Sequence, residues 1–248
     1  MNNNLPDITS PKKGIATVQW RDERKREHEA PATPDLLRQE LYNMKPIRTG
    51  NRYPRQRNYH GLYFMESAGK HVWFESLLEE SGLARLDMGS RIVNIASQPM
   101  MMRFLDGSVH YPDFLALHAN HRQVVYDVKP QGHMTEDVVR QFDKTRAVAE
   151  LVGWGYAVLH ELGAVEANNL NWFRQFKHHQ FHPDYAAVNN LARALREPLP
   201  VIIAAAALGL PTLAEGRSAL FHLIWKGTFT IDLTCPLSDS SLVNRGER

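Results

Sequence analysis

Two acids and a lysine, Asp113, Asp127 and Lys129, stand at a spacing that could gather a divalent cation. Asp113 follows a proline in Tyr111-Pro112-Asp113-Phe114, and Asp127-Val128-Lys129-Pro130 closes the apolar run Val124-Val125-Tyr126. In a strand successive side chains alternate faces, so Asp127 and Lys129 point one way and Val128 the other. Two carboxylates hold a hard cation through oxygen, and a nearby lysine can position or deprotonate a water. An ion pair on an edge strand would show the same residues. Between the two acids, Ala119-Asn120-His121 reads as a polar turn, which predicts a hairpin that lays Asp113 beside Asp127.

Several elements must position these groups. Met100–Leu105 reads as a strand ended by an Asp106-Gly107 turn, and Ile92–Ala96 as a short strand leading into Ser97-Gln98-Pro99. Upstream, the stretch from Val72 to about Met88 reads as a helix with Glu75 and Glu79 at i and i+4, on one face. That pair could face a cation or form a solvent-facing acidic stripe. Downstream, Thr135 is an N-cap with Glu136 and Asp137 in the first turn. Val138, Phe142, Ala149 and Val152 recur at helical spacing until Gly153. Tyr156–His160 is a further strand. The order helix, three strands, helix, strand predicts a mixed α/β core.

The chain has 248 residues, enough for one large domain or two small ones, and 43% are apolar. Residues 1–50 read as a loosely ordered extension, interrupted by Pro6, Pro11, Pro31 and Pro34. The net charge is only +2, but Lys45, Arg48, Arg52, Arg55 and Arg57 form a basic block without an acid. Such a block attracts polyanions. Interleaved with Tyr59, it makes Arg52, Arg55, Arg57 and Tyr59 candidate DNA contacts, although an arm packed on the core would read alike. The single cysteine, Cys235, excludes an internal disulfide and a CxxC zinc site and suits a reducing compartment. The polar start predicts no secretory leader, and the apolar run Val201–Leu208 is too short to span a bilayer. A cytoplasmic protein without membrane contact is expected.

After the basic stretch Lys177–Pro183 the composition shifts. His178 and His182, at i and i+4, are a possible metal pair without a visible third ligand. Residues 183–248 predict helices over Tyr185–Arg196, Pro200–Leu208 and Thr212–Lys226. A Gly209-Leu210-Pro211 break suggests a helix-turn-helix corner, and Thr228–Leu233 reads as a strand, a possible wing. The apolar runs Pro200–Leu208 and Phe221–Trp225 suggest spare surface for a partner.

Taken with Arg57–Tyr63, Phe74–Glu79, Ser97-Gln98-Pro99 and His110–Phe114, the Pro112-Asp113 … Asp127-Val128-Lys129 pattern resembles the PD-(D/E)XK signature of TnsA-like endonuclease subunits of heteromeric transposases. The likeness covers about residues 52–182, and His222–Gly227 with Asp232–Thr234 resembles that family's winged-helix-like tail. It implies an α/β fold with a restriction-endonuclease-like core over 51–182 and a small helical, winged-helix-like domain over 183–248. The implied activity is Mg2+-dependent cutting of one DNA strand at the 5′ side of transposon ends, with Mn2+ as a substitute. The implied partners are double-stranded DNA, a TnsB-type DDE transposase and a TnsC-type AAA+ ATPase. The family's first acid falls on Glu79, with Glu75 as rival, its aspartate on Asp113 and its lysine on Lys129. Asp127 takes a position held by an acid or a glutamine in relatives. Asp113, Asp127, the Val128 carbonyl and Glu79 would hold the metal. Two alternatives use the same residues differently: a stand-alone restriction-type or resolvase-like nuclease, and a non-catalytic DNA-bridging protein.

Overall fold

The structure is a computed structural model that describes residues 15–48, 59–89 and 91–246. Arg52, Arg55 and Arg57 of the basic block lie outside these residues. The fold is mixed α/β, with several sheets and helices.

The chain opens with two antiparallel strands, β1 (Ala16–Arg21) and β2 (Glu27–Pro31), then 3-10 turns at Pro34–Gln39 and Leu41–Asn43. The expectation of a loosely ordered extension therefore fails over the described part of residues 1–50. β1 alternates buried and half-buried side chains, and Ala16, Val18 and Trp20 enter a core with Leu36, Leu41 and Tyr42. Pro31 ends a strand and Pro34 begins a 3-10 turn, so these prolines mark element boundaries.

A hairpin follows, β3 (Gly61–Met65) and β4 (Lys70–Phe74), and then α1 (Leu77–Asp87). The predicted helix thus starts later than Val72. Val72-Trp73-Phe74 is strand, and Ser76 caps the helix by accepting the Glu79 N–H at 3.2 Å. Glu75 lies before the cap, so it does not share a helical face with Glu79.

The next strands are β5 (Ile92–Ser97), β6 (Met100–Phe104), β7 (Val109–His110), β8 (Phe114–His118) and β9 (Gln123–Val128). Then come α2 (Glu136–Val152), β10 (Gly155–Leu159) and α3 (Ala164–Phe173). The central sheet runs β10-β9-β8-β5: β5, β8 and β9 are antiparallel neighbours, and β10 is parallel to β9. The predicted hairpin between the two acids is β8–β9. Met100–Phe104 is a strand as expected, but it belongs to the other large sheet, β2-β1-β6-β7, pairing with β1. α2 has Thr135 as N-cap and a left-handed Gly153 (φ 95°) as C-cap.

Alternation along β8 and β9 divides the core. Phe114, Ala116 and Tyr126 join a cluster with Leu83 of α1, while Leu115 and Val125 join Val148 and Val152 of α2 and the N-terminal strands. The central sheet is buried on both faces, which explains why its strands are almost continuously apolar.

The C-terminal part comprises α4 (Tyr185–Ala194), β11 (Leu199–Pro200), α5 (Val201–Ala207), α6 (Leu213–Trp225), β12 (Phe229–Ile231) and β13 (Leu242–Arg245). The three short strands form an antiparallel sheet in the order β11-β13-β12. α6 begins with a capping box between Thr212 and Glu215. α5 and α6 approach so closely that a Cβ on Gly216 would lie 2.5 Å from the Ala205 carbonyl. The cluster that holds Leu83 and Phe114 continues through Phe173 into Phe221, Leu223, Ile224 and Trp225, so one apolar core crosses residue 183. This overturns the reading of Pro200–Leu208 and Phe221–Trp225 as spare docking surface. Val201, Ala204, Ala205, Leu208 and Phe221–Trp225 are buried, and only Ile202 and Ile203 of these runs expose substantial apolar area.

Candidate active site

The antiparallel register pairs Phe114 with Tyr126, and one step further it sets Asp113 against Asp127. Asp127 lies on the sheet face that carries Val125, toward α2. The chain closes the two acids together: the Val128 N–H donates to Asp113 Oδ2 at 2.7 Å. The backbone of Asp113 is fixed from the other side, because its carbonyl accepts the Gln98 N–H at 2.7 Å.

Glu79 arrives from the first turn of α1 and is buried. Its carboxylate accepts from the Glu75 N–H at 2.8 Å and from Ser76 Oγ at 3.1 Å, so Ser76 and Glu79 cap the helix reciprocally. Burial raises the Glu79 carboxyl above its ordinary range, against the lowering effect of these two hydrogen bonds. Burial likewise pushes the Asp113 carboxyl well above the usual carboxylate range, and the charges of Glu79 and then Asp127 push it further. Glu79 therefore acts directly on Asp113. Glu75 stands a step further out: one oxygen lies 3.7 Å from the Arg48 guanidinium, and the other, Oε1, is buried without a hydrogen-bond partner.

Asp127 is held differently. It is 1% exposed, and His110 Nε2 donates to both of its oxygens, at 2.9 and 3.0 Å. Tyr156 Oη donates to Oδ2 at 2.6 Å. Gln141 Nε2 donates to His110 Nδ1 at 2.6 Å, which leaves the ring proton on Nε2 for Asp127. Burial and then the Asp127 charge raise the Tyr156 phenol far above its ordinary value, so it remains a donor. Asp127 is thus buried with both carboxyl oxygens hydrogen-bonded by His110 and one of them also by Tyr156.

Lys129 continues the parallel ladder by one bond, its N–H donating to the Leu159 carbonyl at 2.9 Å, and its own carbonyl is engaged by His160 Nδ1 at 2.6 Å. The backbone is therefore fixed on both sides of the lysine. Tyr59, the one described member of the proposed DNA-contacting set, is 72% exposed. His178 and His182 lie around a 3-10 turn, His179–Phe181, so they have no helical i,i+4 geometry. His178 Nδ1 accepts the Gln180 N–H instead.

Sequence reading gave no role to His110, Gln141 and Tyr156, and it read Arg48 only as part of the basic block. His110 had a signal, since it precedes the Tyr111-Pro112-Asp113 turn on a strand. Tyr156 reaches Asp127, and Gln141 reaches His110, only through the packing of β10 and α2 against β9 and β7.

Asp113 and Glu79 suit a hard cation. Burial raises both carboxyls, so their ionised forms would gain from a cation, Glu75 Oε1 lacks a partner among the described residues, and all the donors are oxygens. Among the described residues, no three His, Cys, Asp or Glu side chains are gathered in the geometry of a preassembled metal centre. No helix among the described residues is long and apolar enough to cross a membrane. No protein-family model matches the chain, and no curated protein matches it significantly.

Proposed function

We propose that the chain is a Mg2+-dependent DNA endonuclease, with Mn2+ as a substitute, acting as the TnsA-like strand-cutting subunit of a heteromeric transposase. The observation that carries this reading is the placing of Asp113 against Asp127 at one end of the β8–β9 hairpin, with the charge of Glu79 acting on Asp113. There the Asp113 carboxyl is buried under the charges of its two neighbours. The arrangement α1, β5, β8, β9, α2, β10, with three antiparallel strands and a parallel fourth, supports a PD-(D/E)XK core. The helices α4–α6 with the sheet β11-β13-β12 support a winged-helix-like tail.

On this reading Asp113, Glu79, the Val128 carbonyl and Asp127 would hold the metal. When bound, the metal makes water more acidic and neutralises charge that develops on the phosphate. The protein does the rest. Lys129, fixed by its backbone bonds to β10, orients the attacking water or steadies the phosphate. His110 and Tyr156 keep Asp127 aimed. Glu75 and Ser76 fix Glu79. The products are a 5′ phosphate and a 3′ hydroxyl, and cleavage falls at transposon ends under control of a TnsB-type DDE transposase and a TnsC-type AAA+ ATPase.

The test is nicking of a labelled transposon plasmid in Mg2+, with and without the cognate DDE transposase. The chain alone is expected to cut poorly and without sequence preference, and the transposase is expected to direct cuts to the ends. Efficient sequence-specific cutting without a partner would favour a restriction-type nuclease. DNA binding with no cutting in Mg2+ or Mn2+, with or without transposase, would favour the bridging protein.

A further inference from the structure

The carboxylate cluster presents a difficulty to any phosphodiester that approaches it. When ionised, Asp113, Glu79, Asp127 and Glu75 would concentrate negative charge where an anionic substrate must sit. Beside them stands Arg48, delivered by the N-terminal stretch. The Ile47 N–H donates to the Gln98 carbonyl at 2.9 Å, which fixes the backbone next to Arg48. Arg48 Nε donates to Gln98 Oε1 at 3.3 Å, and the guanidinium lies over the Tyr111 ring, 4.8 Å from its centroid.

Gln98 links this arginine to the candidate site. Its N–H donates to the Asp113 carbonyl while its side chain holds Arg48. It is 1% exposed, its Nε2 has no hydrogen-bond partner, and its φ of 43° is left-handed, a strained conformation for a side chain of this size. A buried, strained residue that spans Asp113 and Arg48 fixes one relative to the other.

Arg48 is not consumed by this arrangement. Among the described residues its closest acid is Glu75 at 3.7 Å, beyond hydrogen-bonding distance, and its side chain is 49% exposed. A planar guanidinium held over an aromatic ring and half exposed is suited to bidentate contact with phosphate oxygens.

We propose that Arg48 is a substrate-binding residue whose guanidinium, fixed by Tyr111 and Gln98, grips the phosphodiester that Asp113 and Glu79 face. This rests on the nuclease reading of Asp113. It assigns the N-terminal segment a part in the chemistry, supplying positive charge that the β8–β9 hairpin lacks on that side. The same charge already acts on the cluster, lowering the carboxyl values of Asp113 and Glu79 against the larger effects that raise them.

The geometry gives Arg48 opposite effects on the two ligands of the site. It attracts DNA and repels a divalent cation. The test compares wild type, Arg48→Lys and Arg48→Gln in the full chain, each checked for an unchanged circular dichroism spectrum. Mn2+ affinity is read by calorimetry, affinity for duplex DNA by anisotropy in Ca2+, and basal plasmid nicking as a function of Mn2+ and DNA. Arg48→Gln is expected to bind Mn2+ as well as wild type or more tightly. It should bind DNA more weakly and nick about tenfold to a hundredfold more slowly at saturating Mn2+. Arg48→Lys, which keeps the charge and loses the planar fork, should fall between. Wild-type nicking by Arg48→Gln, or parallel loss of Mn2+ affinity and nicking, overturns the assignment of Arg48 and leaves the nuclease reading standing. A wild type that neither binds Mn2+ at Asp113 nor nicks DNA overturns both.

Discussion

Replacing Asp113 by asparagine should stabilise the metal-free protein and abolish its response to metal. Asparagine keeps a side-chain oxygen for the Val128 N–H, at 2.7 Å in the native chain, and removes the charge. The native carboxyl is raised by burial and by Glu79 and Asp127, so the folded protein binds this proton more tightly than the unfolded chain does. Stability from this group is therefore fully present below about pH 4, the value of an unfolded aspartate, and is lost as pH rises through the folded value. A like charge 4 Å away costs about 4 kcal/mol at an effective dielectric constant of about 20, and proton uptake relieves most of that. The net gain from Asp113→Asn near neutral pH is then about 1–2 kcal/mol. At about 2–4 °C per kcal/mol for a chain of this size, the metal-free Tm should rise by about 2–8 °C. The advantage should vanish near pH 4. Mn2+ at a hundred times its Kd should add about 2.7 kcal/mol to wild type and nothing to the variant, which inverts the ranking. Thermal melts at several pH values, with and without MnCl2, read all of this. A variant less stable than wild type without metal, or one that keeps the Mn2+ shift, refutes the reasoning.

Glu79→Gln should reduce nicking far more than Glu75→Gln, because Glu79 is the acid whose charge reaches Asp113; nicking rates in Mg2+ that rank the other way would give Glu75 the role. Asp87→Ala should cost about 3–5 kcal/mol in denaturant unfolding. Buried Asp87 accepts from Tyr63 Oη and from the Glu66 and Ser67 N–H groups, with Lys177 Nζ at 3.6 Å, and its loss removes the acceptor of these three donors and the counter-charge of Lys177. Changing Arg52, Arg55 and Arg57 together to Gln should flatten the plot of log K for duplex DNA against log salt by up to about 0.9 for each phosphate that is no longer neutralised. An unchanged slope would assign these arginines to protein contacts.

What was legible in the sequence was local. The Asp113–Asp127 pairing follows from two short strands and a polar turn, a register that the alternation of side chains specifies. α2 is bounded by Thr135 and Gly153, residues with capping chemistry of their own. What was not legible depended on distant partners. β1 is a strand because β6 lies beside it, and nothing between residues 1 and 50 announces a partner beyond residue 100. The start of α1 was misplaced for another reason. Val72-Trp73-Phe74 suits a strand or a buried helix equally, and the decisive sign was the Ser76-x-x-Glu79 cap, which fixes the first turn after Glu75.

The two aspartates, so alike in the sequence, have different surroundings. Asp127 is buried but supplied with donors from His110 and Tyr156, and Gln141 sets the His110 tautomer that makes this possible. Asp113 has a single backbone donor among the described residues, and burial and the charges of Glu79 and Asp127 raise its carboxyl, so its ionised form is the one that gains most from a cation. Under the nuclease reading, Asp127 would be a ligand already oriented by its hydrogen bonds, and Asp113 with Glu79 would complete the set that holds the metal. Arg48 stands on the opposite side of the balance. Its charge opposes that of the acids, and it offers the incoming phosphate a donor that they cannot. Strand register alone would make Asp113 and Asp127 equivalent ligands; the side chains that reach Asp127 from β7 and β10, the first of them oriented from α2, distinguish the two.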